Sequence, residues 1–391
     1  VGSVRELLVD NRMGMRRLLG PALYIGLVTG ALFVAFRWWG YDDPYITYRY
    51  AENLRHGIGF IYNPGERVLS TTTPLFALLL ALLGNILSDL PQLANLIGGL
   101  SLALGSLFLW DLAHSWKSPL VGWAALLLYP SFPLMLSTMG SEIPLYLSFC
   151  LGAFASYTRQ RYHLAALSSA LAVLTRPDGA LVVVILIADY LLHQQRPIPV
   201  KSLLLFLSLT LPWVVFSWGY FGSPVPVTLV AKQHQASMTI SQHFAPGLWT
   251  IVGWYSGHWH YRAEAVLSLL GVVFLVRRAR TWLLFLAWPM IYFIAYSALG
   301  VSRYFWYYAP LVPGFIAAIG LGARGLVDLF ARGILLSFNE VDLHLGRRHL
   351  SFSRDEAAET PLSTVWSSVV SIFGITVVLL LAVCQVSDLM H

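Results

Sequence analysis

Directly behind the first long apolar stretch stand two adjacent acids, Asp42 and Asp43, followed by Pro44 and the run Tyr45-Ile46-Thr47-Tyr48-Arg49-Tyr50. Further along, polar residues interrupt apolar segments at Gly140-Ser141-Glu142-Ile143-Pro144, at Arg176-Pro177-Asp178-Gly179, at Lys232 and His234, and at Arg303-Tyr304. Carboxylates together with cations suit a reaction that deprotonates an alcohol and expels a phosphate: the acid takes the proton, and Arg or Lys neutralises the leaving group. Asp42, Asp43 and Glu142 are therefore the candidate catalytic acids, and Arg176, Lys232 and Arg303 the candidate phosphate ligands. Tyr45, Arg49, His234 and Tyr304 complete the set as substrate contacts. No metal is required by these residues, although an acid pair could hold Mg²⁺ or Mn²⁺. His258 and His260 lack a third ligand and read as a wet loop.

For such residues to meet, the elements between them must bring them to one side. With 57% hydrophobic residues, 11% charged and a mean hydropathy of +0.66, the chain is not a soluble globule, whose charged fraction would be about 25%. It reads as an all-α polytopic membrane protein. The net charge of +6 resides in short loops between apolar segments, which points to membrane orientation and not to nucleic acid. Cys150 and Cys384 both lie within apolar segments, so neither a disulfide framework nor a metal motif is indicated. The run Pro21 to Gly40 is too long for a cleaved signal peptide and is expected to stay as an anchor.

Arg12, Arg16 and Arg17 precede that anchor, which predicts a cytoplasmic N-terminus and places Asp42 and Asp43 outside. Asp43-Pro44 reads as a helix start with Asp43 as N-cap, and His56-Gly57 as its stop. Ile46, Tyr50 and Leu54 on one face and Arg49, Asn53 and His56 on another suit a helix lying along the membrane surface. The apolar segment from Thr73 to Ser88 falls short of the roughly 20 residues a crossing needs, so residues 74 to 88 are expected to be interfacial or re-entrant. Spans are then predicted at 20–39, 91–112, 119–137, 143–158, 163–175, 179–193, 200–219, 263–276, 281–299, 304–322 and 363–386, about eleven crossings with the C-terminus outside. This assignment puts Lys117, Arg159, Arg161, Arg196, Lys201, the Arg277-Arg278-Arg280 cluster and the 323–362 loop inside. It leaves only Arg49, Arg55, Arg67, Arg176, Lys232, Arg262 and Arg303 outside. The whole of 1–391 reads as one module, with outer segments at 41–90 and 220–262, a surface helix at 247–257, and a polar stretch at 333–360 that is expected to be partly disordered.

Asp42-Asp43 with Tyr45 to Ala51, Gly59-Phe60-Ile61-Tyr62-Asn63-Pro64-Gly65-Glu66, Gly140 to Tyr146 and Thr175 to Gly179 resembles the GT-C glycosyltransferases that use polyprenyl-phosphate sugars. The likeness is nearest to terminal arabinofuranosyltransferases. It is more distant to lipid A aminoarabinose transferases and protein O-mannosyltransferases. It covers about the first 180 residues, and Gly222-Ser223-Pro224-Val225-Pro226 with Ala231-Lys232 extends it weakly. The family's usual Met before the second acid is Ser141 here. The resemblance implies a GT-C fold and an inverting transfer on the extracytoplasmic face of a cell membrane. Asp42 would serve as general base and Glu142 would match the second acid. The implied partners are a polyprenyl-phosphate sugar, a glycan, lipid or protein acceptor, and membrane lipids.

Two other classes compete. A transporter or lipid flippase would carry ionisable groups near mid-membrane, and Asp111 and Asp189 come nearest to that pattern. A non-catalytic assembly or export subunit would tolerate replacement of Asp42.

Overall fold

The computed structural model describes residues 2–193, 197–239, 241–344 and 361–389; side chains are described for 19–193, 197–239, 241–330 and 372–388. Among these residues there is no strand, only an isolated bridge between His243 and Ser302. In order, the helices are α1 (Gly2–Phe36), α2 (Pro44–Arg55), α3 (Pro74–Leu83), α4 (Leu90–Ser115), α5 (Pro119–Leu127), α6 (Pro133–Leu136), α7 (Ile143–Thr158) and α8 (Tyr162–Thr175). There follow α9 (Ala180–His193), α10 (Val200–Phe221), α11 (Thr228–Ala236), α12 (Phe244–Tyr255), α13 (Trp259–Arg278), α14 (Leu283–Leu299), α15 (Val312–His344) and α16 (Pro361–Leu389). Six described segments are long and apolar enough to cross a membrane: Leu19–Phe36, Leu90–Ser115, Val200–Phe221, Trp259–Arg278, Arg280–Leu299 and Phe305–Phe330. The protein is thus all-α and of multi-pass membrane character.

Proline sets many of the helix starts. It is the first residue of α2, α3, α5 and α6 and the second of α4 and α7, where its missing N–H costs nothing and its fixed φ suits the helix. Proline also divides the span expected at 119–137. Phe132 is held extended (φ −66°, ψ 122°) before Pro133, so α5 ends at Leu127 and the short α6 begins anew. The stretch expected as a loop from 323 onward is helical as far as His344, since α15 continues through it. Arg196 and residues 345–360 lie outside the described residues, as do the side chains of Arg12, Arg16 and Arg17.

At ten residues, α3 is about 15 Å long, half of a ~30 Å hydrocarbon core, and cannot cross by itself. Its end is fastened to the end of α2 by Arg55, whose Nη1 donates to the Gly84 carbonyl at 2.8 Å. The stretch expected at 247–257 is helical as far as Tyr255, as part of α12, which leaves Trp249 and Trp254 exposed.

Helices in lipid associate by close packing, because the lipid tails are as apolar as the side chains. The pair α13 and α15 shows this most sharply. A Cβ on Gly271 would sit 1.9 Å from the Ala318 carbonyl oxygen, and one on Gly322 would sit 1.8 Å from that of Leu267. Only glycine permits that approach. Around the pair, Trp282, Trp288, Tyr129, Tyr146, Tyr292 and Tyr308 fill the centre of the bundle without solvent contact.

Candidate active site

A cavity of about 390 Å³ collects residues from connections spread over most of the chain. Asp43 comes from the start of α2, Thr71 and Thr73 from the approach to α3, Glu142 from before α7, and Arg176 and Asp178 from between α8 and α9. Lys232 comes from α11, Tyr296 from α14, and Trp306 and Tyr307 from between α14 and α15. Its wall also carries apolar side chains, among them Leu181, Val225, Pro226, Leu229, Ala295 and Leu299.

Asp43 does not cap α2. Its backbone is already helical (φ −57°, ψ −42°), whereas a capping side chain reaches the first-turn N–H groups from an extended backbone, and no such hydrogen bond forms. Its Oδ1 instead accepts from Lys232 Nζ at 3.0 Å. The Lys232 ammonium also lies 4.0 Å from the ring centre of Tyr304 and 5.5 Å from that of Trp306. Helix α11 is pinned so that this lysine points inward. The Val227 N–H donates to the Leu69 carbonyl at 3.1 Å, Gln233 Nε2 to the Leu299 carbonyl at 2.9 Å, and Tyr304 Oη to Gln235 Oε1 at 2.6 Å. Asp42 is exposed and spends its Oδ1 on the Asp43 N–H at 2.9 Å.

The second cluster is built around Arg176, 6% exposed. Its Nη1 donates to Glu142 Oε1 at 2.8 Å, its Nε and Nη2 to the Asp178 carboxylate at 3.1 and 3.0 Å, and its Nη2 also to Tyr296 Oη at 2.8 Å. Tyr296 Oη donates in turn to Asp178 Oδ2 at 2.6 Å. Local sequence explains the fixity. A Cβ at Gly179 would lie 2.7 Å from α8 backbone atoms, so Pro177-Asp178-Gly179 folds as a tight turn against α8. On the Glu142 side, Gly140 adopts φ +83° and its carbonyl accepts from Tyr48 Oη. Burial pushes the Glu142 carboxyl above its ordinary range, against the opposing pull of the Arg176 guanidinium.

The same cavity is lined by a set of buried hydroxyls. Thr73 Oγ1 is 2.9 Å from Thr47 Oγ1 and 3.0 Å from Thr71 Oγ1, and Ser70 and Thr72 also line the cavity. The arrangement offers a carboxylate beside a cation, a fixed ion cluster, and neutral donors and acceptors on one cavity wall.

Of the residues singled out from sequence, Asp43, Glu142, Arg176 and Lys232 meet at the cavity, and Tyr304 supports Lys232 from behind. Asp42, Tyr45, Arg49 and His234 are exposed and do not line it. Arg303 also lies off its wall, bonded through Nη1 to Gln242 Oε1 at 3.0 Å and set 5.8 Å from the Trp254 ring centre. Asp178, from the polar Arg176-to-Gly179 segment, also lines the cavity, as do Trp306 and Tyr307 of the aromatic run behind Arg303; the additions from the structure are Tyr296 and the threonines. The Ser70-Thr71-Thr72-Thr73 run ahead of Pro74 was the visible sign of the last group. Among the described residues, no three His, Cys, Asp or Glu side chains cluster closely enough to hold a metal ion. No protein-family model, no curated protein and no solved structure matches the chain.

Proposed function

We propose that this protein is a membrane glycosyltransferase of GT-C type that moves a sugar from a polyprenyl-phosphate donor to a hydroxyl acceptor, with inversion. The observation that carries the reading is the Asp43–Lys232 pair at the wall of a cavity lined by charged, hydroxyl and apolar side chains. A lipid-linked sugar phosphate offers a partner for each: an anionic, hydroxyl-rich head and a hydrocarbon tail. The donor phosphate draws Lys232 away from Asp43, and the freed carboxylate takes the proton of the acceptor hydroxyl. That oxygen bonds to the anomeric carbon from the face opposite the phosphate. The bond from the anomeric carbon to the phosphate oxygen breaks, and polyprenyl phosphate leaves with the electron pair, its charge met by Lys232.

This assigns the base to Asp43 instead of Asp42, whose carboxylate lies off the cavity wall. Glu142 and Asp178 hold Arg176, and the threonines face the sugar. No step calls for a metal cofactor. We place the cavity on the extracytoplasmic side of a cell membrane, in a chain of about eleven crossings with the N-terminus inside, because the outer cations of that assignment include Arg176 and Lys232. The acceptor is a glycan, a lipid or a protein hydroxyl.

The test is incubation of the purified protein in nanodiscs with a panel of polyprenyl-phosphate sugars and hydroxyl acceptors. The expected result is a glycosylated acceptor and free polyprenyl phosphate. Donor binding with unchanged donor after long incubation overturns the reading.

The transporter alternative has one observation of its own. Glu264, fully buried within the candidate span formed by α13, accepts from Gln385 Nε2 of α16 at 2.8 Å. Movement of a labelled lipid across proteoliposomes, lost in Glu264→Gln, would favour it.

A further inference from the structure

A second cavity, of about 280 Å³, lies at the C-terminal end of α4 and shares no wall residue with the first. Its wall carries three cations, Lys117, Arg278 and Arg324, against one acid, Asp328, and two tryptophans, Trp116 and Trp282. Arg324 Nε is 3.0 Å from Asp328 Oδ1. Lys117 and Arg278 make no side-chain hydrogen bond or ion pair among the described residues.

Two features of the backbone aim charge into this space. The first is Lys117 itself, at φ +53°, a region that a lysine rarely adopts. It closes α4 at the position where glycine is the ordinary choice, with the Ser118 N–H donating to the Ala113 carbonyl at 2.9 Å and its own N–H to the His114 carbonyl at 3.2 Å. A cation is therefore kept where the conformation favours a glycine. The second is the start of α5. The Ser118 hydroxyl does not cap this helix, because it accepts from Trp282 Nε1 at 3.0 Å and donates to the Trp116 carbonyl at 3.1 Å. The N–H groups of Leu120 and Val121, both at the cavity wall, lack that side-chain cap.

We infer that this second cavity binds a phosphate-bearing anion, the chemistry shared by an anionic phospholipid headgroup and free phosphate, through Lys117, Arg278 and Arg324. The site is separate from the proposed transfer reaction and stands whether or not that reading holds.

The experiment titrates phosphatidylglycerol and, separately, inorganic phosphate into the purified full-length protein. It reads the shift in apparent unfolding temperature and the number of lipids retained in native mass spectrometry. The test variant is K117G/R278Q, in which glycine suits the backbone at position 117. The control is R277Q/R280Q, which removes two neighbouring exposed cations that do not line the cavity. At the ordinary worth of a cation beside an anionic headgroup, phosphatidylglycerol binds K117G/R278Q about thirtyfold more weakly than the parent, with one retained lipid lost. The control shifts by less than about threefold. Displacement of the lipid by inorganic phosphate identifies the phosphate alone as the ligand, and failure to displace it identifies the lipid. Parent-like binding in K117G/R278Q, or an equal loss in the control, overturns the inference.

Discussion

Lys232 Nζ stands 3.0 Å from Asp43 Oδ1 across a separation of 189 residues. In the proposed reaction the carboxylate accepts a proton and the cation receives a phosphate; in the structure the two neutralise each other.

If Asp43 is the base, Asp43→Asn should lower transfer by about 10²–10⁴-fold while leaving donor binding within a few-fold of the parent. Asp42→Asn should stay within a few-fold throughout. Initial rates with a purified donor check both, and the reverse ranking would return the base to Asp42.

Removal of the cation should act on the donor. If Lys232 meets the donor phosphate, Lys232→Gln loses a charge-assisted contact worth about tenfold or more in affinity and leaves Asp43 without its partner. A donor titration by thermal shift measures this, and an unchanged affinity would place the phosphate elsewhere.

Arg176 is a matter of integrity more than turnover. Removing one member of a buried ion cluster costs about 3–5 kcal/mol, so Arg176→Met should lower the apparent unfolding temperature markedly. R176M/E142Q/D178N, which leaves no unpaired charge, should recover part of the loss. No recovery in the triple variant would refute the account of these carboxylates as ligands of the arginine.

The Glu142 carboxyl is held above its ordinary range by burial. A group raised on folding binds its proton more tightly in the native state. Its contribution to stability is full below the unfolded value, about 4.3, and is lost as pH rises through the folded one. The unfolding temperature of the parent relative to Glu142→Gln should therefore rise as pH is lowered from neutrality towards 4. A parallel pair of curves would show that the site does not titrate in this way.

Gly322→Ala should disturb α13 and α15, because the added carbon would sit 1.8 Å from the Leu267 carbonyl oxygen. The expected cost is about 1–3 kcal/mol or more, read as a lower unfolding temperature. By contrast, Gly253→Ala, with nothing within 4 Å, should be close to neutral.

Much of the helical order was legible from apolar runs and proline positions. The starts of α2, α3 and α7 fall where Pro44, Pro74 and Pro144 put them. The break near Pro133 was not read, because a run that is apolar on both sides of a proline looks continuous to hydropathy alone. In the site, residue type pointed to Asp43, Glu142, Arg176 and Lys232, but not to their pairing. Asp before Pro at a helix start reads as a cap, yet the cap depends on backbone angles that Asp43 does not adopt. Asp178, two residues on, and Glu142, 34 residues back, both turn onto Arg176 in the folded bundle, so its guanidinium is already occupied. Arg303 resembled Lys232 by type, and its neighbour Gln242 diverted it.

The distance along the chain between Asp43 and Lys232 also sets an order in time. At ordinary rates of synthesis, the 189 residues from Pro44 to Lys232 take about 10–40 s to make. Throughout that interval the nascent chain carries the carboxylate without its counterion. Under the proposed reaction, two halves of the protein expressed as separate polypeptides would each be silent, and activity would return only when the second half docks and delivers its lysine.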